Sequence, residues 1–159
     1  MNITVIYVGG AKDGYISEGC AEFEKRIGAY AKLSQIELKE FRVGDESSAA
    51  SRRLAMENEA KRIIEVLPKK SRRIALCVEG KQMSSPAFAE RIERMKDEGC
   101  SHIVFIIGGP FGLDESVKAL CDMRLSLSEM TFNHRIARLL LLEQIYRALN
   151  ISSGGNYHK

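Results

Sequence analysis

The sequence predicts a single α/β domain over residues 1–159, a parallel sheet flanked by helices. Three observations carry that prediction. Apolar runs of strand length alternate with stretches of helical period from one end to the other. One run, His102-Ile103-Val104-Phe105-Ile106-Ile107, is nearly continuously apolar, as a strand covered on both faces should be. A length of 159 residues, 45% hydrophobic and 28% charged, suits one well-filled core, not two domains or a disordered chain.

The elements follow in order. Ile3-Thr4-Val5-Ile6-Tyr7-Val8 is β-branched and aromatic and stops at Gly9-Gly10, so it reads as a buried first strand. Ile16, Cys20, Phe23, Ile27 and Tyr30 recur at helical spacing, with most charges on other faces. Alternation of Ile36, Leu38 and Phe41 predicts a second strand over about 35–42. A charged helix follows over about 48–67, stopped by Pro68. Residues 73–78 read as a strand. Ser84-Ser85-Pro86 has the form of a helix cap with proline in the first turn, and Phe88, Ile92 and Met95 share one face beyond it. After the 102–107 strand come Gly108-Gly109-Pro110-Phe111-Gly112, a short helix over about 114–121, a strand over about 124–128 and a last helix over about 132–150. That helix carries Leu139-Leu140-Leu141-Leu142 with Ile136, Ile145, Tyr146 and Leu149 around them. A helix apolar on nearly every side needs cover on nearly every side. One face is expected on the sheet and another on a second copy in a symmetric dimer.

Composition removes several classes of function. No apolar run approaches the ~18–20 residues of a membrane span. Met1-Asn2-Ile3-Thr4 has neither a basic n-region nor a cleavage site, so the cytoplasm is the expected location. Cys20, Cys77, Cys100 and Cys121 stand far apart without a C-x-x-C pair, and His102, His134 and His158 lack ligand spacing, so no metal site is expected. There is no G-x-G-x-x-G opening a helix, no P-loop and no G-x-S-x-G elbow. Charge is uneven along the chain. Beyond residue 130, Arg135, Arg138, Arg147 and Lys159 stand against Glu143 alone, which accounts for the whole formal excess of +3. An excess at one end suits an anionic partner there.

In open parallel sheets, ligands bind beyond the carboxyl ends of the strands. Leu76-Cys77-Val78-Glu79-Gly80, Ile107-Gly108-Gly109-Pro110 and Leu127-Ser128-Glu129-Met130-Thr131 would arrive there together. The chain then finishes in Ser152-Ser153-Gly154-Gly155-Asn156, a loose linker, and Tyr157-His158-Lys159: a ring, an imidazole and a cation. Stacking on a base with charge on a phosphate is a common way of holding unpaired RNA.

Taken together these residues resemble the RlmH family, small SPOUT-class methyltransferases of the large ribosomal subunit. The resemblance is carried by Tyr7-Val8-Gly9, Glu24-Lys25-Arg26-Ile27-Gly28, Leu76 with Gly80-Lys81 and Ser84-Ser85, and Ile106-Ile107-Gly108-Gly109-Pro110 with Gly112-Leu113. It continues through Leu125-Ser126-Leu127-Ser128-Glu129-Met130-Thr131-Phe132, His134, the leucine run with Glu143-Gln144 and Tyr146-Arg147-Ala148, and terminal Tyr157-His158-Lys159. It spans essentially the whole chain. Asn133 stands where the family commonly has proline, and Leu149-Asn150 replaces a more usual tryptophan-basic pair.

The resemblance implies a SPOUT fold with a C-terminal trefoil knot, a homodimer, and S-adenosylmethionine as cofactor. It implies methylation of N3 of a pseudouridine in 23S rRNA, within the assembled ribosome. By position, cofactor contacts fall on Leu76, Gly108, Leu127, Ser128, Glu129, Met130, Thr131 and Phe132. Tyr157, His158 and Lys159 are the candidates for catalysis, with Tyr157 orienting the base and His158 or Lys159 assisting loss of the N3 proton. Arg135, Arg138 and Lys159 are the candidates for RNA phosphates. The alternative is a non-catalytic ribosome-associated assembly protein docking through its basic end. It predicts no heat on titration with S-adenosylmethionine. A further rival, an enzyme for another nucleotide at the same glycine loop, predicts competition by adenine dinucleotides.

Overall fold

The computed structural model describes residues 1–10 and 14–159. The elements run β1 (Asn2–Val8), α1 (Gly14–Ile27), β2 (Lys32–Leu38), α2 (Ala49–Val66), β3 (Arg72–Lys81), α3 (Ser85–Asp97), β4 (His102–Ile107), α4 (Glu115–Lys118), β5 (Met123–Leu125) and α5 (His134–Ser152). The strands form one sheet in the order β2-β1-β4-β3-β5, and every pairing is parallel. The predicted α/β class, a parallel sheet flanked by helices, is the one observed.

Period-2 alternation divides the core into two layers. Ile3, Val5, Ile103, Phe105 and Ile107 face α1, α3 and α5. Ile6, Val8, Val104 and Ile106 face α2 and α4. Each such fully buried side chain contributes roughly 1.5–3 kcal/mol relative to exposure. The buried Thr4 hydroxyl is satisfied by His102 Nε2 at 2.8 Å, so the polar residue within the central strands leaves no unmet bond.

Several boundaries differ from expectation, each for a visible reason. β2 covers 32–38, not 35–42. Gly9 turns away with φ of +77°, and its N–H to the Leu38 carbonyl, at 2.8 Å, is the last bond available to that edge strand. β3 extends past 78 to Lys81 because it bends around β5, and both Leu76 and Lys81 pair with Leu125. A Cβ on Gly80 would lie 2.6 Å from the Leu125 backbone, so the bend requires glycine. β5 accordingly ends at Leu125, and residues predicted to continue it form a loop. The expected 114–121 helix is a single turn, capped by Asp114.

The caps behave as predicted at Ser84, and Ser48 serves α2 in the same way. The last helix starts at His134, two residues later than expected, because the Asn133 side chain accepts the Arg135 N–H. It lies between α1 and α3, where Leu141, Leu142, Ile145 and Ala148 are fully buried. Most of its cover therefore comes from within the subunit, more than the leucine run suggested. Ile136 and the half-buried Leu139 and Leu140 remain partly open.

Candidate active site

The carboxyl ends of the strands open into one cleft of about 970 Å³. That is the upper part of the ~300–1,000 Å³ range of small-molecule and cofactor sites. Leu76, Gly108, Leu127, Ser128, Met130, Thr131 and Phe132, all predicted for the cofactor, line it; Glu129 does not and points to solvent.

Backbone shape at the floor depends on two glycines. A Cβ on Gly108 would meet the Gly112 carbonyl at 2.5 Å, so the hairpin from 108 to 113 closes only on glycine. Gly112 itself holds φ of +87°. Across the cleft, the 126–131 loop is shaped by its own hydroxyls. Ser126 Oγ donates to the Ser128 carbonyl at 2.9 Å, and Ser128 Oγ accepts the Met130 N–H at 3.0 Å. Met130, 76% exposed, stands out at the rim.

The walls carry charge that the sequence did not reveal. Glu40, in the loop after β2, places Oε1 3.2 Å from His134 Nε2 and 3.7 Å from Arg135 Nη2. Burial holds the His134 imidazole below its ordinary value against the opposing pull of Glu40. Behind the lining, next to Gly109, is Glu59, only 3% exposed, whose Oε1 accepts the Phe41 N–H at 3.0 Å. Burial raises the Glu59 carboxyl, and the Phe41 bond only partly offsets it. On the opposite wall Lys118 donates to Glu79 and Glu115. Burial alone would lower its ammonium, but the two carboxylates together carry it above the usual lysine value. Glu59 was detectable in principle. It follows Ala55 and precedes Ile63 by four residues each, on the buried stripe of a helix whose other positions are wet. Phe111, Arg53 and Met56 complete the far end, and no single-residue signal marked them.

The terminal residues lie elsewhere. α5 has 19 residues, about 28 Å of helix, and the cleft is at its first turn while the tail is at its last. There Tyr157 donates its hydroxyl to Glu143 Oε1 at 3.1 Å, and its ring meets Tyr146 edge-on at 4.8 Å. The Arg147 guanidinium covers that ring at 4.6 Å and reaches His158 Nδ1 at 3.2 Å. Burial, then the bond to Glu143, raises the Tyr157 phenol. Lys159 is exposed. The chain thus does not bring its Tyr157-His158-Lys159 to its own cleft.

The two candidate arginines separate as well. Arg135 is partly exposed at the rim, beside Glu40. Arg138 is only 8% exposed, with its guanidinium 4.1 Å from the Tyr7 ring centre and Nε 3.4 Å from Cys20 Sγ. Arg138, a candidate for RNA phosphates from the sequence, thus has its cation inside the helical layer. Among the described residues no three His, Cys, Asp or Glu side chains come together as a metal site, and no helix is long and apolar enough to cross a membrane.

Comparison with known proteins places this geometry. Residues 1–158 match the family described as predicted SPOUT methyltransferase. The chain is 41% identical over its full length, and over the whole of the relative, to the ribosomal RNA large subunit methyltransferase H of Streptococcus suis. It is 42% identical, again end to end in both chains, to the protein of that name in Bacillus thuringiensis. Among solved structures, a "probable methylase family protein" of Haemophilus influenzae superposes with a TM-score of 0.55 at 15% identity, covering 99% of this chain and 70% of that one. A "probable methyltransferase" of Bordetella pertussis gives 0.55 at 14% identity, over 92% and 95%. These two likenesses concern the fold.

Proposed function

The chain belongs to the SPOUT methyltransferase family, and from that premise we propose that it transfers a methyl group from S-adenosylmethionine to N3 of a pseudouridine in 23S rRNA. The observation that carries the proposal is the cleft at the strand ends, lined by Leu76, Gly108 and the 127–132 loop. Full-length relatives named for large-subunit ribosomal RNA support the substrate class.

The residues present fit that cofactor. Leu76, Ile107, Leu127 and Phe132 offer apolar contact to a purine, and the bare Cα of Gly108 exposes backbone for hydrogen bonding. The lining carries Glu40, Glu57, Glu79, Asp114 and Glu115 against Arg53, Lys118 and Arg135, a small excess of carboxylates that suits a cationic sulfonium and amine. S-adenosylmethionine supplies a methyl already activated by its sulfonium charge. What remains for the protein is alignment of donor and acceptor, worth several kcal/mol of barrier, and help with the acidic N3 proton.

Tyr157 orients the base, and His158 receives the N3 proton or the Lys159 ammonium stabilises the anion left behind. Because a subunit's tail stands at the far end of α5, it acts in the cleft of a second copy. The homodimer is supported by exposed apolar side chains at one end: Met130 and Phe132 at the rim and Ile136 on α5. Lys159 and Arg135 meet RNA phosphates, and the work is done in the cytoplasm on 23S rRNA within the assembled ribosome.

Mass spectrometry of 23S rRNA from cells with and without the protein tests the reading. One methylated pseudouridine disappears in its absence and returns with the wild-type chain, but not with a chain ending at Asn156. Unchanged RNA between the two cells removes the proposal.

A further inference from the structure

We infer that Asn150 is the positioning residue that holds the Tyr157-His158-Lys159 segment in register for presentation to RNA. The inference rests on the reading of that segment given above.

Asn150 lies in the last turns of α5 and is 7% exposed. A buried primary amide without partners would cost stability, so each of its polar atoms must be met. Its backbone carbonyl accepts the Gly155 N–H and the Ser153 hydroxyl, both at 2.9 Å. Its Oδ1 accepts the Tyr157 N–H at 3.0 Å, and its Nδ2 donates to the Tyr30 hydroxyl at 3.0 Å. The linker wraps this side chain closely. A Cβ on Gly155 would lie 2.2 Å from Nδ2, and Gly154 makes the reversal with φ of +73°. The stretch from 153 to 157 is therefore a loop folded around one amide, fastened to the body of the subunit through Tyr30.

The Tyr157 N–H is where that fastening reaches the functional segment. With it fixed, the Tyr157 ring falls between Tyr146 and Arg147, its hydroxyl reaches Glu143, and His158 meets Arg147. These contacts are near the surface, and ion pairs or ring contacts of that kind are individually weak. A hydrogen bond from the Tyr157 main chain to a side chain that is itself buried sets direction in a way that a mobile side-chain pair does not.

Three variants separate holding the tail from merely filling space. Asn150→Leu keeps the volume and removes both side-chain bonds. Asn150→Asp keeps the acceptor for the Tyr157 N–H, and the Tyr30 hydroxyl can turn to donate to it. Tyr30→Phe removes the anchor on the body and leaves the tail bond. The first readout is release of Tyr157 by carboxypeptidases from the folded, substrate-free protein. The second is methyl transfer to assembled ribosomes, with cofactor affinity and thermal unfolding alongside.

Asn150→Leu should release Tyr157 at least about tenfold faster and lower kcat/KM for the ribosome by about tenfold, roughly 1.4 kcal/mol. Its cofactor affinity should stay within twofold of the wild type, a factor small beside that tenfold (about 1.4 kcal/mol). Asn150→Asp should restore both readouts, and Tyr30→Phe, which leaves the buried Nδ2 without its acceptor, should fall between the wild type and Asn150→Leu in both. Wild-type release from Asn150→Leu, or fast release with undiminished kcat/KM, overturns the inference. So does failure of Asn150→Asp to restore either readout while it unfolds at the wild-type temperature. The chain ending at Asn156 tells the two levels apart: if it methylates normally the reading of the tail fails, whereas Tyr157 release alone judges whether Asn150 holds it.

Discussion

His134 Nε2 and Arg135 Nη2 share one oxygen of Glu40, at 3.2 and 3.7 Å, so a single carboxylate ties the first turn of α5 to the loop after β2. The same side chain fills the space over Gly9, where a Cβ would touch its Oε1. Since the 126–131 loop enters α5 directly, Glu40 fixes the far end of the segment proposed to hold the cofactor. Glu40→Ala should raise the dissociation constant for S-adenosylmethionine about tenfold, near 1.4 kcal/mol. Glu40→Gln, which still accepts from His134, should cost less than half of that. Calorimetry decides, and an unchanged constant in Glu40→Ala would show that the loop is fixed without this tie.

Burial depresses the His134 imidazole in the folded chain, and Glu40 only partly opposes it. The unfolded chain, with an ordinary imidazole near ~6.5, takes up its proton first as pH falls. Stability linked to His134 is therefore complete above about pH 7 and lost as pH drops from ~6.5 toward the lower folded value. His134→Gln should flatten the fall in Tm between about pH 7 and 5. Parallel Tm profiles for the two proteins would mean that His134 is not titrating as a buried group.

Glu59 has the opposite sign. Its carboxyl is raised by burial, so the unfolded chain ionises first as pH rises, and stability present below the ordinary glutamate value is lost above it. Gln at this position keeps an acceptor for the Phe41 N–H without a charge to bury. Glu59→Gln should unfold at a higher temperature than the wild type at pH 7 and at the same temperature near pH 4, a gain that grows with pH. Equal Tm values at both would place water or a counter-charge at Glu59 in solution.

Much of this arrangement was legible from residue pattern. The alternation in β1 and β4, the cap at Ser84, and the convergence of 76, 108 and 127 at the strand ends follow from local chemistry and sheet polarity. What escaped depends on contacts between distant segments. Glu59 and Arg138 are charged residues on helices, where charge ordinarily signals solvent, and each is buried because a remote partner meets it: Phe41 for one, Tyr7 for the other. The stop of β5 at Leu125 depends on Gly80 approaching its backbone. Gly154-Gly155 reads as a loose linker, and only Asn150 makes it a defined turn.

At Gly108 there is no room for even one methyl group, since its nearest neighbours are main-chain atoms of Gly112 and Leu113 that cannot rotate away. Gly108→Ala should destabilise the fold by about 3 kcal/mol and abolish detectable cofactor binding, because the hairpin lining the cleft must open. Gly112→Ala meets no atom, only an unfavourable positive φ, and should cost roughly 1–2 kcal/mol while leaving binding measurable. Equal losses of binding in the two variants would show that backbone angle, not close approach, shapes the floor.

Arg138 distinguishes a structural cation from an RNA-binding one. A guanidinium 4.1 Å from the Tyr7 ring centre and largely removed from water contributes about 2 kcal/mol or more, and its stem adds packing against α1. Arg138→Ala should therefore lower Tm by roughly 5–10 °C for a chain of this size. Arg138→Lys should recover only part, because a point charge does not stack on the ring as a planar guanidinium does. A buried cation releases no counterions from RNA, so the slope of log K against log salt for ribosome binding should be unaltered in Arg138→Ala. Lys159→Ala, at the exposed end of the tail, should instead reduce that slope by about 0.7–0.9. A reduced slope in Arg138→Ala would mean that the side chain leaves Tyr7 and turns outward when RNA arrives.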